Sequence, residues 1–355
     1  MEGGRVNSIR IFIGTLILLL SAVAAQAQST PPPNVAIFLF DNVQTIDYAA
    51  PLEVFGTGRL FNTYTVGQNP GPITTIHGTK VIPDYTFETM PKPDILVIPG
   101  GGKRYPDNKG PFARGLPYAQ DPAITDWIRR TAKESQIVMS VCNGAFGLAE
   151  AGLLDGLEAT TTAPLIPMLQ KSLPNTKVRH DERFVDNGHI ITSAGLTAGM
   201  DASLHVIERI YGRGLAETRA LGLEYNWDPL GTWTRADLAD QYMKFDFQGF
   251  DSDSWTSIER TGNENHWVNR WTVEMPQSAS EVLAIMDNTL ETNRTYQKMP
   301  VTWKRAGKVQ SNESKSYWQF TDEDGAQWLG IASVTPVGQK QGKTKYELKL
   351  TITKQ

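Results

Sequence analysis

The chain contains one cysteine, Cys142, in the stretch "SVCNG" from Ser140 to Gly144. A thiol does chemistry when it is held as a thiolate. The start of a helix favours that state through its exposed backbone N–H groups and the positive end of its dipole. Here the apolar run "QIVMSV" leads into Cys142, and "NGAFGLAEAGLL" follows with helical spacing. The pattern predicts a strand–Cys–helix turn, the physics of a nucleophile elbow. Asn143, Gly144 and Ala145 are small enough for the backbone to turn sharply and approach a substrate. The N–H of Asn143 and those of Gly101 or Gly102 can together bind an oxyanion. The competing reading makes Cys142 a small apolar residue in a core, where unpaired cysteines are most often found.

These residues need a scaffold to bring them together. "NVAIFLF" (Asn34 to Phe40), "DILVIPGGG" (Asp94 to Gly102) and "QIVMSV" are short, nearly continuous apolar runs, the pattern of strands buried on both faces. Helical spacing follows in "TIDYAAPLEVFGTG", in "DPAITDWIRRTAKES" with Asp121 as N-cap and Pro122 at the first position, and in "TAGMDASLHVIERIYG", stopped by Gly212. "KVRHDERFVDNGHIITSAG" turns as a hairpin at Asp186-Asn187-Gly188. Buried strands alternating with helices predict an α/β fold, a flavodoxin-like, mostly parallel sheet with helices on both faces. In such sheets sites form at the carboxyl ends of strands, where both the glycines after Pro99 and Cys142 fall.

Composition shifts after about residue 225: eight of the nine tryptophans lie between Trp227 and Trp328. Residues 230–264 read as an irregular linker with one helix at "RADLADQYM". Residues 265–355 read as a small α+β module, with a strand at "HWVNRWTVEMP" and a helix at "SASEVLAIMDNTLETN" capped by Ser278 or Ser280. A hairpin turning at Asp324-Gly325 and an alternating strand "KYELKLTIT" complete it. Its tryptophans read most simply as core and hairpin residues.

The amino terminus has a different character. Arg5 and Arg10 precede the apolar run "IFIGTLILLLSAVA", which ends in "AQA" at Ala27. This is the pattern of a secretory signal peptide over residues 1–27, shorter than the roughly 20 apolar residues of a membrane span. Residues 28–33, with "STPPP", then form a stiff leader. The expectation is an exported protein, periplasmic or secreted, with no stable membrane anchor after cleavage. A formal net charge of −4 advertises no basic surface for nucleic acid. No Cys/His/carboxylate cluster has metal-ligand spacing, and nothing calls for a cofactor. "PGGGKRY" lacks the G-K-[ST] of a phosphate loop.

Residues 34–229 resemble the DJ-1/PfpI group of class I glutamine-amidotransferase-like proteins. The motifs that carry the likeness are "TIDYAAPLEVF", "DILVIPGGG", "SVCNGAFGLAEAGLLDGLEATTT", "ITSAGLTAGMDASLHVIE" and "LGLEYNWDP". The chain looks most similar to the branch with isonitrile hydratases and the amidotransferase-like halves of AraC-type regulators. The resemblance implies Cys142 as elbow nucleophile and Asp47 as the acidic side chain that reaches the thiol and handles a proton. Asp47 is otherwise a helix-start residue. Glu53 matches the pattern as a supporting residue, or is a solvated helix residue; Gly144 supports the turn. Histidine is missing from both family positions, which here hold Asn143 and Thr162, and Ala50 replaces the usual glycine. That removes the ordinary Cys–His pairing and leaves a Cys–Asp pair. His77, His180, His189, His205 and His266 read as structural or without a partner at useful spacing. The resemblance also implies a homodimer.

Three functions follow from this reading: a cysteine-dependent hydratase or hydrolase acting on a small electrophilic substrate, a ligand-binding or sensing protein using the same pocket without turnover, or a thiol-based protection protein in which Cys142 is oxidised reversibly.

Overall fold

A computed structural model describes residues 31–102, 121–229, 231, 233–245, 255–294, 301–307, 314–340 and 342–355. The export segment, the first residues of the leader and Lys103 of "PGGGKRY" lie outside the described residues. The chain divides into two compact units, Met1–Leu153 with Gly188–Ile191 and Gly199–Trp227, and Leu154–Asn187 with Thr192–Ala198 and Asp228–Gln355.

Strand β1 (Asn34–Leu39) leads to α1 (Thr45–Gly56) and β2 (Asn62–Gly67), followed by the short pieces β3 (Ile73–Thr74), β4 (Lys80–Val81) and β5 (Tyr85–Thr86). Next come β6 (Ile95–Ile98), α2 (Pro122–Glu134), β7 (Ile137–Val141) and α3 (Gly144–Glu150). The stretch after α3 holds β8 (Glu158–Ala159), α4 (Ile166–Ser172), β9 (Lys177–Val178), β10 (Phe184–Asp186) and β11 (Ile190–Ser193), then α5 (Thr197–Tyr211) and α6 (Arg213–Gly222). The resulting sheet has seven strands in the order β10-β11-β7-β6-β1-β2-β5. The pairings β1 with β2, β1 with β6, β6 with β7 and β2 with β5 are all parallel. Every residue of β6 and β7 is buried, as continuous apolar runs require of a sheet covered on both faces. Asp121 Oδ1 accepts the Ala123 N–H at 2.9 Å, the cap that starts α2.

Because β1, β6 and β7 are parallel neighbours, the loops that leave their carboxyl ends emerge at one edge. Those loops are Phe40–Gln44, Pro99–Gly102 and Cys142–Asn143.

The second unit contains an antiparallel sheet of β12 (Thr256–Gly262), β13 (His266–Met275), β14 (Lys304–Arg305), β15 (Lys315–Thr321), β16 (Gln327–Lys340) and β17 (Lys343–Lys354), in the order β12-β13-β17-β16-β15-β14. Burial alternates along β15 and β17, so one face supplies a core of Trp318, Phe320, Trp328, Leu348 and Leu350. Helix α7 (Ala279–Glu291) adds Val282, Leu283, Met286 and Leu290 to that core. Ser278 is its N-cap, in a capping box with Glu281.

Two readings of the connecting stretch need correction. Thr256–Gly262 is a strand, although the sequence reads as linker there. It lies at the sheet edge, and all but one of its residues are exposed, so no apolar alternation announces it. "RADLADQYM" forms only a single 3-10 turn at Ala239–Tyr242, not a helix. Arg235 holds the buried Asp240 carboxylate through two bonds of 2.6 and 2.7 Å, a spacing of five residues that does not match a helical turn.

Candidate active site

Strand β7 ends at Val141, and the chain reverses into α3 through Cys142 at φ 59° and Asn143 at φ −74°, ψ 3°. A left-handed backbone on a residue with a Cβ costs about 1–2 kcal/mol, so the surrounding packing must impose it. Gly144 explains how. A Cβ there would collide with the Ile98 carbonyl oxygen, so α3 starts directly against the end of β6. From the other side, a Cβ on Gly199 of α5 would lie 2.8 Å from Val141 Cγ1. The turn thus lies between two close approaches that only glycine permits. Cys142 is half-buried, and with no second cysteine it forms no disulfide within the chain.

Gly100 marks the centre of the site. A Cβ built on it would collide with Asn143 Oδ1 and would lie 2.8 Å from Asp47 Oδ2 and 2.9 Å from Cys142 Cβ. The carboxylate and the cysteine therefore flank the same glycine, no farther apart than the sum of those two distances. Asp47 is fully buried in the first turn of α1. Its N–H donates to Gln44 O at 3.1 Å. Pro51, four residues on, lies inside the helix and removes the N–H that would otherwise reach the Asp47 carbonyl.

The glycine loop is fastened on two sides. Gln44 N–H donates to Gly100 O at 2.9 Å, and Gly102 N–H donates to Asn42 O at 2.9 Å. On the elbow side, Gly101 N–H donates to Asn143 Oδ1 at 2.8 Å while Asn143 Nδ2 donates to Gly101 O at 2.8 Å. These bonds correct one expectation. The N–H groups of Gly101 and Gly102 are already engaged by Asn143 and Asn42, so neither is available to an oxyanion. The N–H groups of Asn143 and Gly144 donate to no protein group among the described residues, which makes that pair the available donors.

Asn143 therefore has a side-chain role that the sequence did not reveal. Holding a backbone N–H and a backbone C=O of one residue requires a donor and an acceptor on one short side chain, which a carboxamide supplies. The only sequence signal was its position beside the cysteine, read as a missing histidine. Glu53 is exposed on α1 and accepts the Thr57 hydroxyl at 3.3 Å. Thr162 precedes a 3-10 turn at Ala163–Leu165.

The histidines are placed as follows. His180 Nδ1 lies 2.8 Å from Asp237 Oδ1, His189 Nδ1 lies 3.1 Å from Gln136 O, and His266 Nδ1 lies 2.9 Å from Thr353 Oγ1. His205 Nδ1 lies 3.7 Å from Glu208 on its own helix. His77 Nε2 lies 3.4 Å from Gln44 Nε2, a partner that sequence spacing did not show. Among the described residues no three His, Cys, Asp or Glu side chains gather as a metal ion would need. No described helix is long and apolar enough to cross a membrane.

Residues 33–209 match the DJ-1/PfpI family. Over 192 residues the chain is 31% identical to isonitrile hydratase of Pseudomonas putida, which covers 54% of this chain and 78% of that protein. The chain belongs to the DJ-1/PfpI family. Asp47, Gly100, Cys142, Asn143 and Gly144 all fall within the family match, whereas the six-stranded sheet lies beyond it. The chain is also 32% identical over 157 residues to the HTH-type transcriptional regulator CdhR of Pseudomonas aeruginosa, covering 44% of this chain and 43% of the regulator. It thus spans less than half of that relative's length. Among solved structures, a ThiJ/PfpI family protein from Pseudomonas syringae is 26% identical with a TM-score of 0.48, covering 57% of this chain and 81% of that one.

Proposed function

We propose that this DJ-1/PfpI protein is a cysteine-dependent enzyme that adds water to a small electrophilic carbon, in the manner of an isonitrile hydratase. The observation that carries the proposal is the placement of the Asp47 carboxylate and Cys142 against Gly100. An isonitrile has a divalent terminal carbon that accepts a nucleophile and a proton. Cys142 thiolate forms the S–C bond, and Asp47, as the carboxylic acid, delivers a proton to that carbon, giving a thioimidate. Asp47 carboxylate then takes a proton from water as the water oxygen attacks the same carbon, and passes it to the nitrogen, giving a neutral tetrahedral adduct. Collapse expels the thiolate as the hydroxyl proton passes back to Asp47, which restores the carboxylic acid and leaves an N-substituted formamide, one water added in all. The N–H groups of Asn143 and Gly144 face the charge that develops in the tetrahedral stage.

The test is formamide release from small alkyl isonitriles by the purified chain and by Cys142→Ala. Turnover is expected from the wild type and none from the variant; equal turnover would sink the assignment. A second reading, ligand recognition without turnover, draws on the likeness to the CdhR regulator and on the absence of histidine at positions 143 and 162. It predicts saturable binding of a small molecule by both wild type and Cys142→Ala, with no product from either. We also infer export, from the basic head, apolar run and "AQA" of residues 1–27. Amino-terminal sequencing of the mature protein should then begin at Gln28, and an intact Met1 would refute it.

A further inference from the structure

We propose that Gln44 and His77 form a polar rim on the Cys142 site and select substrates carrying an anionic, hydrogen-bond-accepting group remote from the reacting carbon; this rests on Cys142 being a reactive thiol. His77 lies in the turn between β3 and β4, beside Gly78 at φ 86°. That hairpin is bound to the loop that follows β1. Asn42 N–H donates to Thr74 O at 2.7 Å, Thr74 N–H to Asp41 Oδ1 at 2.8 Å, and Ile76 N–H to Val43 O at 3.0 Å. The turn is therefore carried by the same loop that positions the glycines.

Gln44 joins that turn to the site. Its N–H holds Gly100 O, its carbonyl accepts the Asp47 N–H, and its side chain reaches His77 Nε2 at 3.4 Å. Gly100 is the residue whose Cα faces both Asp47 Oδ2 and Cys142 Cβ. One side chain thus separates His77 from the ring of loops around the thiol. Gln44 is half-buried and His77 is exposed, so the pair presents its polar atoms where the loops meet solvent. Of the other four histidines, His180, His189 and His266 bond to groups on other segments, and His205 lies beside Glu208 on its own helix.

Gln44 Nε2 can only donate, so His77 Nε2 accepts there and leaves Nδ1–H as a donor for an incoming group. With the carboxamide turned so that its oxygen faces Nε2, a protonated imidazole offers Nδ1–H together with a positive charge. That chemistry fits a carboxylate or similar acceptor on the incoming molecule. Among the described residues, the titratable or charged groups on the turn of His77 and on the segments bonded to it include Asp41 and Lys80, with Asp47, Tyr48 and Glu53 on the helix that Gln44 precedes. Asp41 already accepts the Thr74 N–H, and Asp47 is buried beside the thiol.

Alkylation of Cys142 by iodoacetate and by iodoacetamide, followed by intact mass on the full chain, tests the proposal. Both reagents consume the same thiolate, so the ratio of their rates cancels the thiol's own ionisation and reports the rim. His77→Ala should lower the iodoacetate-to-iodoacetamide ratio roughly threefold, the size of one charge acting through water over the width of a site mouth. His77→Lys, which sets a cation at the same position, should restore the ratio. Gln44→Ala should lower it as well, and melting curves confirm that each variant is folded. A ratio that is unaffected in folded His77→Ala overturns the rim while leaving the reactive thiol standing. Failure of both reagents to modify wild-type Cys142 overturns both readings together.

Discussion

Replacing Asn143 with alanine removes the two 2.8 Å bonds that fasten Gly101 to the elbow. Both are part-buried, so solvent replaces them only in part. At a net value of about 1 kcal/mol each, their loss destabilises the fold by about 2 kcal/mol. For a unit of this size that is a fall of about 4–8 °C in melting temperature. Asn143→Asp separates the bonding argument from lost volume. It keeps an acceptor for the Gly101 N–H but sets an oxygen against the Gly101 carbonyl, so it should also melt below wild type. Amide exchange at Gly101 should quicken in Asn143→Ala, because its N–H no longer has a partner on the elbow. Thermal melts of the full chain with exchange followed by mass spectrometry measure both. A melting temperature within about 1 °C of wild type for both variants would refute the view that Asn143 locks the glycine loop.

Gly144→Ala should be severely destabilising, because the new methyl group meets the backbone oxygen of Ile98, which has no rotamer to escape into; recovery of soluble protein with a wild-type melting curve would count against the close approach. Glu53→Gln should change stability by less than about 0.5 kcal/mol and leave Cys142 alkylation as it was, since Glu53 is exposed and bonds only within its own helix end; a changed alkylation rate would return it to the site. Arg179 bonds to Asp181 and holds that carboxyl at about 2, below its ordinary value of 3.8. A depressed folded value means stability that is present above the ordinary value and lost as pH falls toward 2. The stability difference between wild type and Asp181→Asn should therefore be flat above about pH 5 and shrink on acidification; a difference independent of pH would refute the assignment.

Much of the first unit is legible in its residues because burial on both faces of a parallel sheet leaves unbroken apolar runs. "ILVI" and "IVMSV" announce β6 and β7 directly, and the parallel arrangement then forces their glycine and cysteine loops to one edge. The cysteine turn was legible for the same reason. The destination of each N–H was not. Which backbone donors serve an oxyanion depends on what else approaches within 3 Å, and the approach of Asn143 and Asn42 to Gly101 and Gly102 leaves no periodic trace. His77 was hidden because the link to Gln44 spans 33 residues through a hairpin of two-residue strands. Thr256–Gly262 was hidden because an exposed edge strand need not alternate. The alternation in β15 and β17, by contrast, made the interior of the same sheet readable.

The pairing of Asp47 with Cys142 is tested most directly by Asp47→Asn, with two rates measured on one preparation. These are formamide release from an alkyl isonitrile and alkylation of Cys142 by iodoacetamide. Proton transfer by a positioned carboxyl contributes roughly a hundredfold or more to a rate. Formamide release should fall by at least that factor while the thiol remains open to alkylation. Release within a few-fold of wild type would contradict the assignment of Asp47 as the group that moves the proton.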